Sequence, residues 1–126
     1  MERRAFLTAS AMLGLMGGTA VAADPARPLY GLIGKMKAVP GQRDALVAAI
    51  LDGSAAMPGC LSYIVAKDAD DADAIWITEV WDSEASHDAS LQLPAVQASI
   101  AKAKDLVAAV ETGVVTTPVG GIGLKI

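Results

Sequence analysis

Glu79, Trp81 and His87 fall within thirteen residues, EVWDSEASHDASL (79–91), and His87 is the only histidine in a chain of 126 residues. Imidazole titrates near neutrality, so His87 is the side chain best suited to accept or return a proton at physiological pH. A histidine at the start of a helix can equally be a packed ring, hydrogen-bonded to a carbonyl or carboxylate. Glu79 shares a strand face with Ile77 and Trp81. A carboxylate so flanked is costly to bury unless it finds donors or becomes protonated. It therefore belongs at a cavity edge, in a pairing network, or in a salt bridge across an interface.

Other chemistries are poorly served. Cys60 is the single cysteine, so there is no intramolecular disulfide and no thiol pair for zinc or redox work. With one histidine, a metal site would have to rely on carboxylates, and the reading is no metal. The acidic run DADDAD (68–73) lacks the ordered spacing and the glycine of a calcium loop, and reads as a solvated hairpin turn. No glycine-rich dinucleotide turn, phosphate loop or haem-attachment cysteine pair occurs. The formal net charge is −4, with no basic cluster, which disfavours nucleic acid and anionic lipid as partners.

The chain must supply elements that hold these residues. Residues 1–23 read as an export signal, with a charged start, an apolar run from Ala9 to Ala22 and cleavage expected near Ala22–Asp24. Arg3-Arg4-Ala5-Phe6-Leu7 resembles a twin-arginine signal, which implies a periplasmic or otherwise exported bacterial protein. The apolar run is short and glycine-interrupted, so no stable membrane span is expected once the signal is removed. Residues 24–29 form a lead-in, 30–120 a single domain, and 121–126 a C-terminal extension.

Within the domain, YGLIGKMKA (30–38), CLSYIVAK (60–67), IWITEVW (75–81) and ETGVVTTPV (111–119) read as strands. Leu46, Val47, Ile50 and Leu51 make one stripe of a first helix. Asp82 or Ser83 caps a short helix through Leu91, with Glu84 in its first turn. Pro94 opens another, whose stripe carries Val96, Ile100, Ala103, Leu106, Val107 and Val110. The order β-α-β-β-α-β is that of an α+β, ferredoxin-like sandwich, with an antiparallel four-stranded sheet and helices on one face.

Two helices cover only one side of such a sheet. On the third strand Ile75, Ile77, Glu79 and Trp81 share one face, while Trp76, Thr78 and Val80 share the other, so neither is polar. A solvated antiparallel face should alternate polar-out, and the simplest cover for the second side is the sheet of a twin subunit. A homodimer is expected.

The run Glu79-Val80-Trp81-Asp82-Ser83 through His87 and Ser90 resembles the E-x-W-x-S-x-x-x-H-x-x-S stretch of antibiotic biosynthesis monooxygenase (ABM) domains. PGCLSYIV (58–65) is similar to that family's second strand through Gly59, Cys60 and Tyr63. The resemblance spans Leu32 to about Thr117. It implies a dimeric α+β barrel and, for characterised members, oxygenation of quinols or polycyclic phenols without metal, flavin or haem. Carried onto this sequence, it implies His87 as proton acceptor, Glu79 orienting a donor or pairing the imidazole, Trp81 as a flat wall for an aromatic substrate, and Tyr63 as a hydroxyl donor. Haem-degrading relatives ligate iron through a histidine on the long second helix, and none lies between Pro94 and Val110. Because family fixes fold better than activity, an exported dimer that binds a small apolar or aromatic ligand without turnover stands beside the enzyme reading.

Overall fold

The computed structural model describes residues 21–124; the export signal expected at the N-terminus falls almost wholly outside them. The main sheet holds β2 (Tyr30–Ala38), β3 (Cys60–Lys67), β4 (Ala74–Trp81) and β5 (Val107–Thr116) in the order β3-β4-β2-β5, every pair antiparallel. Helices α1 (Arg43–Gly53), α2 (Glu84–Ser90) and α3 (Pro94–Lys104) complete an α+β ferredoxin-like sandwich. A two-residue ribbon, β1 (Val21–Ala22) with β6 (Gly120–Gly121), ties the start of the described chain to its end. Cleavage at the expected point would remove β1. Among the described residues no helix is long and apolar enough to cross a membrane.

The β2 and β3 boundaries match the alternation of their sequences residue for residue. The inward stripe of α1 differs from expectation. Leu46, Ala49, Ile50 and Gly53 are buried, whereas Leu51 is half exposed. The helix is turned so that Gly53 meets α3, where a Cβ would overlap the Ser99 side chain. Ser99 Oγ donates to the Ala49 carbonyl at 2.7 Å, fixing the crossing.

The second helical stretch also ends earlier than its apolar spacing predicts. α3 stops at Lys104, the Leu106 N–H caps onto the Ala103 carbonyl, and Val107 and Val110 lie in β5. A run such as DLVAAV suits either period, and pairing with β2 from Ala38↔Val107 onward decides in favour of strand. The core joins Ala38, Leu46, Ile50, Ile75 and Ile77, and only the last turn of α3, at Ala103, packs against it. The rest of α3 leans on α1 and stands away from the sheet.

The acidic hairpin is built rather than merely wet. Asp68 Oδ1 accepts the N–H groups of Asp70 and Asp71, each at 2.9 Å, and its Oδ2 accepts Trp76 Nε1–H at 2.8 Å. Arg43 Nη1 donates to the Asp71 carbonyl at 2.8 Å, joining α1 to the turn, and Lys37 pairs with Asp71 at 3.1 Å. These donors hold the Asp68 carboxyl down to about 2, the backbone N–H of Asp71 contributing most. A depressed folded-state value stabilises the fold above the unfolded pKa and loses that contribution as pH falls through the folded one. Thermal melts of wild type should therefore drop from about pH 4 toward about pH 2. Asp68→Ala should melt lower at neutral pH and show a flatter acid limb. Parallel curves for the two proteins would contradict the assignment.

Candidate active site between the sheet and the third helix

The inner face of the sheet sets out the site by register. Tyr30, Trp81 and Cys60 occupy one row across β2, β4 and β3, and Leu32, Glu79 and Tyr63 the next. A shift in register between Cys60 and Ser62 ends the regular pairing just before Tyr63. Trp81 is fully buried, at 1% exposure.

α2 enters over this end of the sheet. Ser83 accepts the Ser86 N–H at 3.1 Å as N-cap, as the sequence predicts, and Glu84 sits in the first turn. The preceding turn needs Gly59. Its φ is +83°, and a Cβ there would strike Ser86 and the Asp82 carboxylate. The Gly59 carbonyl accepts the Asp82 N–H at 2.9 Å, so β3 and the start of α2 are clasped together. One turn later His87 points back over the sheet.

Its imidazole lies between two aromatic rings. The Trp81 centroid is 5.4 Å away and edge-on at 82°, and the Tyr30 centroid is 5.4 Å away and tilted by 43°. Nδ1 is 3.2 Å from Asp88 Oδ1. Next to this cluster, between α3 and the sheet, lies a cavity of about 490 Å³. Its walls are mainly apolar, with Met36, Ile77, Val96 and Ile100 among them, and His87, Glu79, Trp81 and Tyr63 all line it. The four residues singled out in the sequence therefore converge on one space.

Among the described residues Glu79 makes no ion pair and no hydrogen bond to the imidazole. Its Oε1 accepts Trp81 Nε1–H at 2.9 Å, a bond between neighbours two apart on the same strand face. Burial raises the Glu79 pKa, opposed by the indole donor and by the proximity of His87. Burial, with Glu79 next, also pushes the Tyr63 phenol well above its usual range, so Tyr63 offers a neutral O–H. The Cys60 thiol is raised by burial, and its Sγ–H points at the Ser62 carbonyl, 3.5 Å away. Among the described residues no three His, Cys, Asp or Glu side chains cluster as metal ligands.

Sequence reasoning passed over Tyr30 and Asp88. Tyr30 carried one usable signal, since it opens a strand on the parity that faces inward. Its match to Trp81 depends on a strand register spanning 51 positions. Asp88 was legible only as the residue after the histidine.

The antibiotic biosynthesis monooxygenase family model matches residues 29–102. The chain belongs to that family. An ABM-class protein of Chloroflexus aurantiacus J-10-fl is 61% identical, with the match covering 77% of this chain and 99% of that one at a TM-score of 0.76. More distant proteins assigned to the same class share the fold. That of Nitrosomonas europaea is 17% identical over 71% of this chain and 89% of its own, with a TM-score of 0.66. That of Caulobacter crescentus is 18% identical over 73% and 89%, with a TM-score of 0.62. No curated protein matches the chain significantly.

The raised Glu79 pKa has a direct consequence for stability. An acid whose folded-state value exceeds its unfolded one penalises the fold as pH rises through that value. Glu79→Gln keeps an acceptor for the indole and removes the buried charge. It should melt higher than wild type at neutral pH, with the difference closing below about pH 4, where both side chains are neutral. A variant less stable than wild type at pH 7 would show that the charge itself is needed for the fold.

Proposed function

We propose that the protein is a cofactor-independent monooxygenase that oxidises a quinol or polycyclic phenol with molecular oxygen in this cavity. The observation that carries the reading is the convergence of one imidazole, one half-buried carboxyl and one neutral phenol on an otherwise apolar space. Such a space suits a flat aromatic, and few polar groups are needed to orient it. Trp81 offers the ring a wall.

The reaction starts when His87 takes the phenolic proton. The phenolate is electron-rich enough to pass one electron to oxygen, and the radical pair recombines at a ring carbon that bears hydrogen, ortho or para to the hydroxyl. That C–H bond is then lost as the peroxide O–O bond breaks. One oxygen atom becomes the second quinone carbonyl and the other leaves as water, so that phenol plus O₂ gives quinone plus water. Tyr63 O–H supports the developing peroxide, and Glu79, held by the Trp81 indole, keeps that wall in place.

Oxygen uptake by metal-stripped protein over hydroquinones and hydroxyanthrones tests this directly. Turnover is expected, with His87→Ala slower by about 10²–10⁴-fold, the usual worth of a general base. Tight binding of the same compounds with no oxygen uptake would instead favour a ligand-binding role.

The protein is further proposed to work as an exported homodimer. The sheet face away from the helices supports this. Ile33, Ile64 and Val114 are exposed there, Ile64 by 59%, and β2, β4 and β5 place Ile33, Thr78 and Val114 in one row. Trp76, at one end of that face, is already covered by Lys35, whose Nζ is 5.5 Å from the ring centre. The apolar centre of the face is what a twin sheet would bury. Protein recovered from a periplasmic fraction should lack its first residues and sediment as a dimer at micromolar concentration. Ile64→Lys should shift it to monomer. A wild-type monomer would sink the dimer, and full-length cytoplasmic protein would sink export.

A further inference from the structure

We infer that Asp88 is the positioning residue of the site: it fixes the tautomer of His87, so that Nε2 is the nitrogen offered to the ligand. The inference deepens the monooxygenase reading above and rests on it for its kinetic consequence, although the tautomer itself does not.

The imidazole has two ring nitrogens, and the structure accounts for one. Nδ1 is 3.2 Å from Asp88 Oδ1. An ionised carboxylate is purely an acceptor, so a neutral ring in this contact must carry its hydrogen on Nδ1 and the lone pair on Nε2. The ring also packs against the Tyr30 and Trp81 rings. They fix the plane of the imidazole without claiming Nε2. Tyr30 and Trp81 face each other across the β2–β4 pair, so the rings that hold the plane come from the rigid sheet, while the carboxylate that selects the tautomer comes from α2.

The exposure of the pair follows the same division. The His87 side chain is 18% exposed and lines the cavity, whereas that of Asp88 is 66% exposed. The carboxylate faces solvent on the outside of the wall while the ring lines the inside. The neighbouring carboxyls do not compete for this part. Glu79 is engaged by the Trp81 indole, and Glu84 belongs to the first turn of α2. When Nε2 takes a proton from a phenol O–H, the ring becomes an imidazolium with both nitrogens protonated. Asp88 then holds a cation through its Nδ1–H instead of a neutral donor, and the proton returns from Nε2 to the departing oxygen. Asp88 gains and loses no proton in the cycle.

Two measurements decide the matter. In ¹⁵N-labelled protein at about pH 8.5, well above the ordinary imidazole range, His87 should be the Nδ1–H tautomer in wild type. It should shift toward the Nε2–H tautomer in Asp88→Ala. A wild-type ring already protonated on Nε2 overturns the inference. With a substrate that wild type oxidises, Asp88→Asn should lower kcat about ten- to a hundred-fold while KM stays within about two-fold, and Asp88→Glu should restore most of the loss. Unchanged kcat in Asp88→Asn likewise overturns it. Absence of oxygen uptake by wild type would overturn the monooxygenase reading alone, and the tautomer measurement would still decide the role of Asp88.

Discussion

The cavity exists because α3 is held by α1 and not by the sheet. Gly53 and Ser99 approach so closely that no side chain fits between them, and the Ser99 hydroxyl closes onto the α1 backbone at Ala49. Held this way, α3 turns Val96 and Ile100 toward the sheet without reaching it, and only Ala103 joins the core. Apolar side chains lining an unfilled space forfeit the contacts a packed interior would provide. The fold therefore gives up packing at this place, while the Leu46, Ile50 and Ile75 cluster remains tightly closed one layer away.

The electrostatics of the space follow from strand alternation. Glu79 is inward because Ile77 and Trp81 are inward, and a carboxyl at that position must either be solvated or find a donor. The indole two residues on provides the donor. A single hydrogen bond softens the burial without cancelling it, which is why the carboxyl remains easier to protonate than a free glutamate. Tyr63 stands directly opposite on β3, and burial holds the proton on its phenol. The inner row thus sets a carboxyl whose charge burial disfavours and a neutral phenol close to the imidazole.

Much of this could be read from the residues. Strand alternation put Glu79 and Trp81 on one face of their strand without saying which face the helices cover, an Asp82 or Ser83 cap marked the start of α2, and the order of elements gave the fold. The failures lay where one-dimensional spacing is ambiguous. Val107 and Val110 satisfy a helical stripe as well as a strand, and long-range pairing with β2 decided between them. Leu51 fell on the apolar stripe by spacing alone, and it is the missing side chain of Gly53 that lets α3 approach and turns the helix. The Asp68–Asp73 run read correctly as a hairpin turn, but the donors that organise it, backbone N–H groups and the Trp76 indole, have no signature in composition. Tyr30 was missed for want of register.

The aromatic cradle around His87 is drawn from distant parts of the chain. Tyr30 opens the first long strand and Trp81 closes the third, and they meet only when β2 and β4 have paired along their full length. Contacts so far apart in sequence carry a large loop-closure cost and form slowly. A nascent or partly folded chain can thus bear every residue of the site and still have no imidazole held in place. Chemical competence becomes a late property of folding, and it arrives together with the central strand pair.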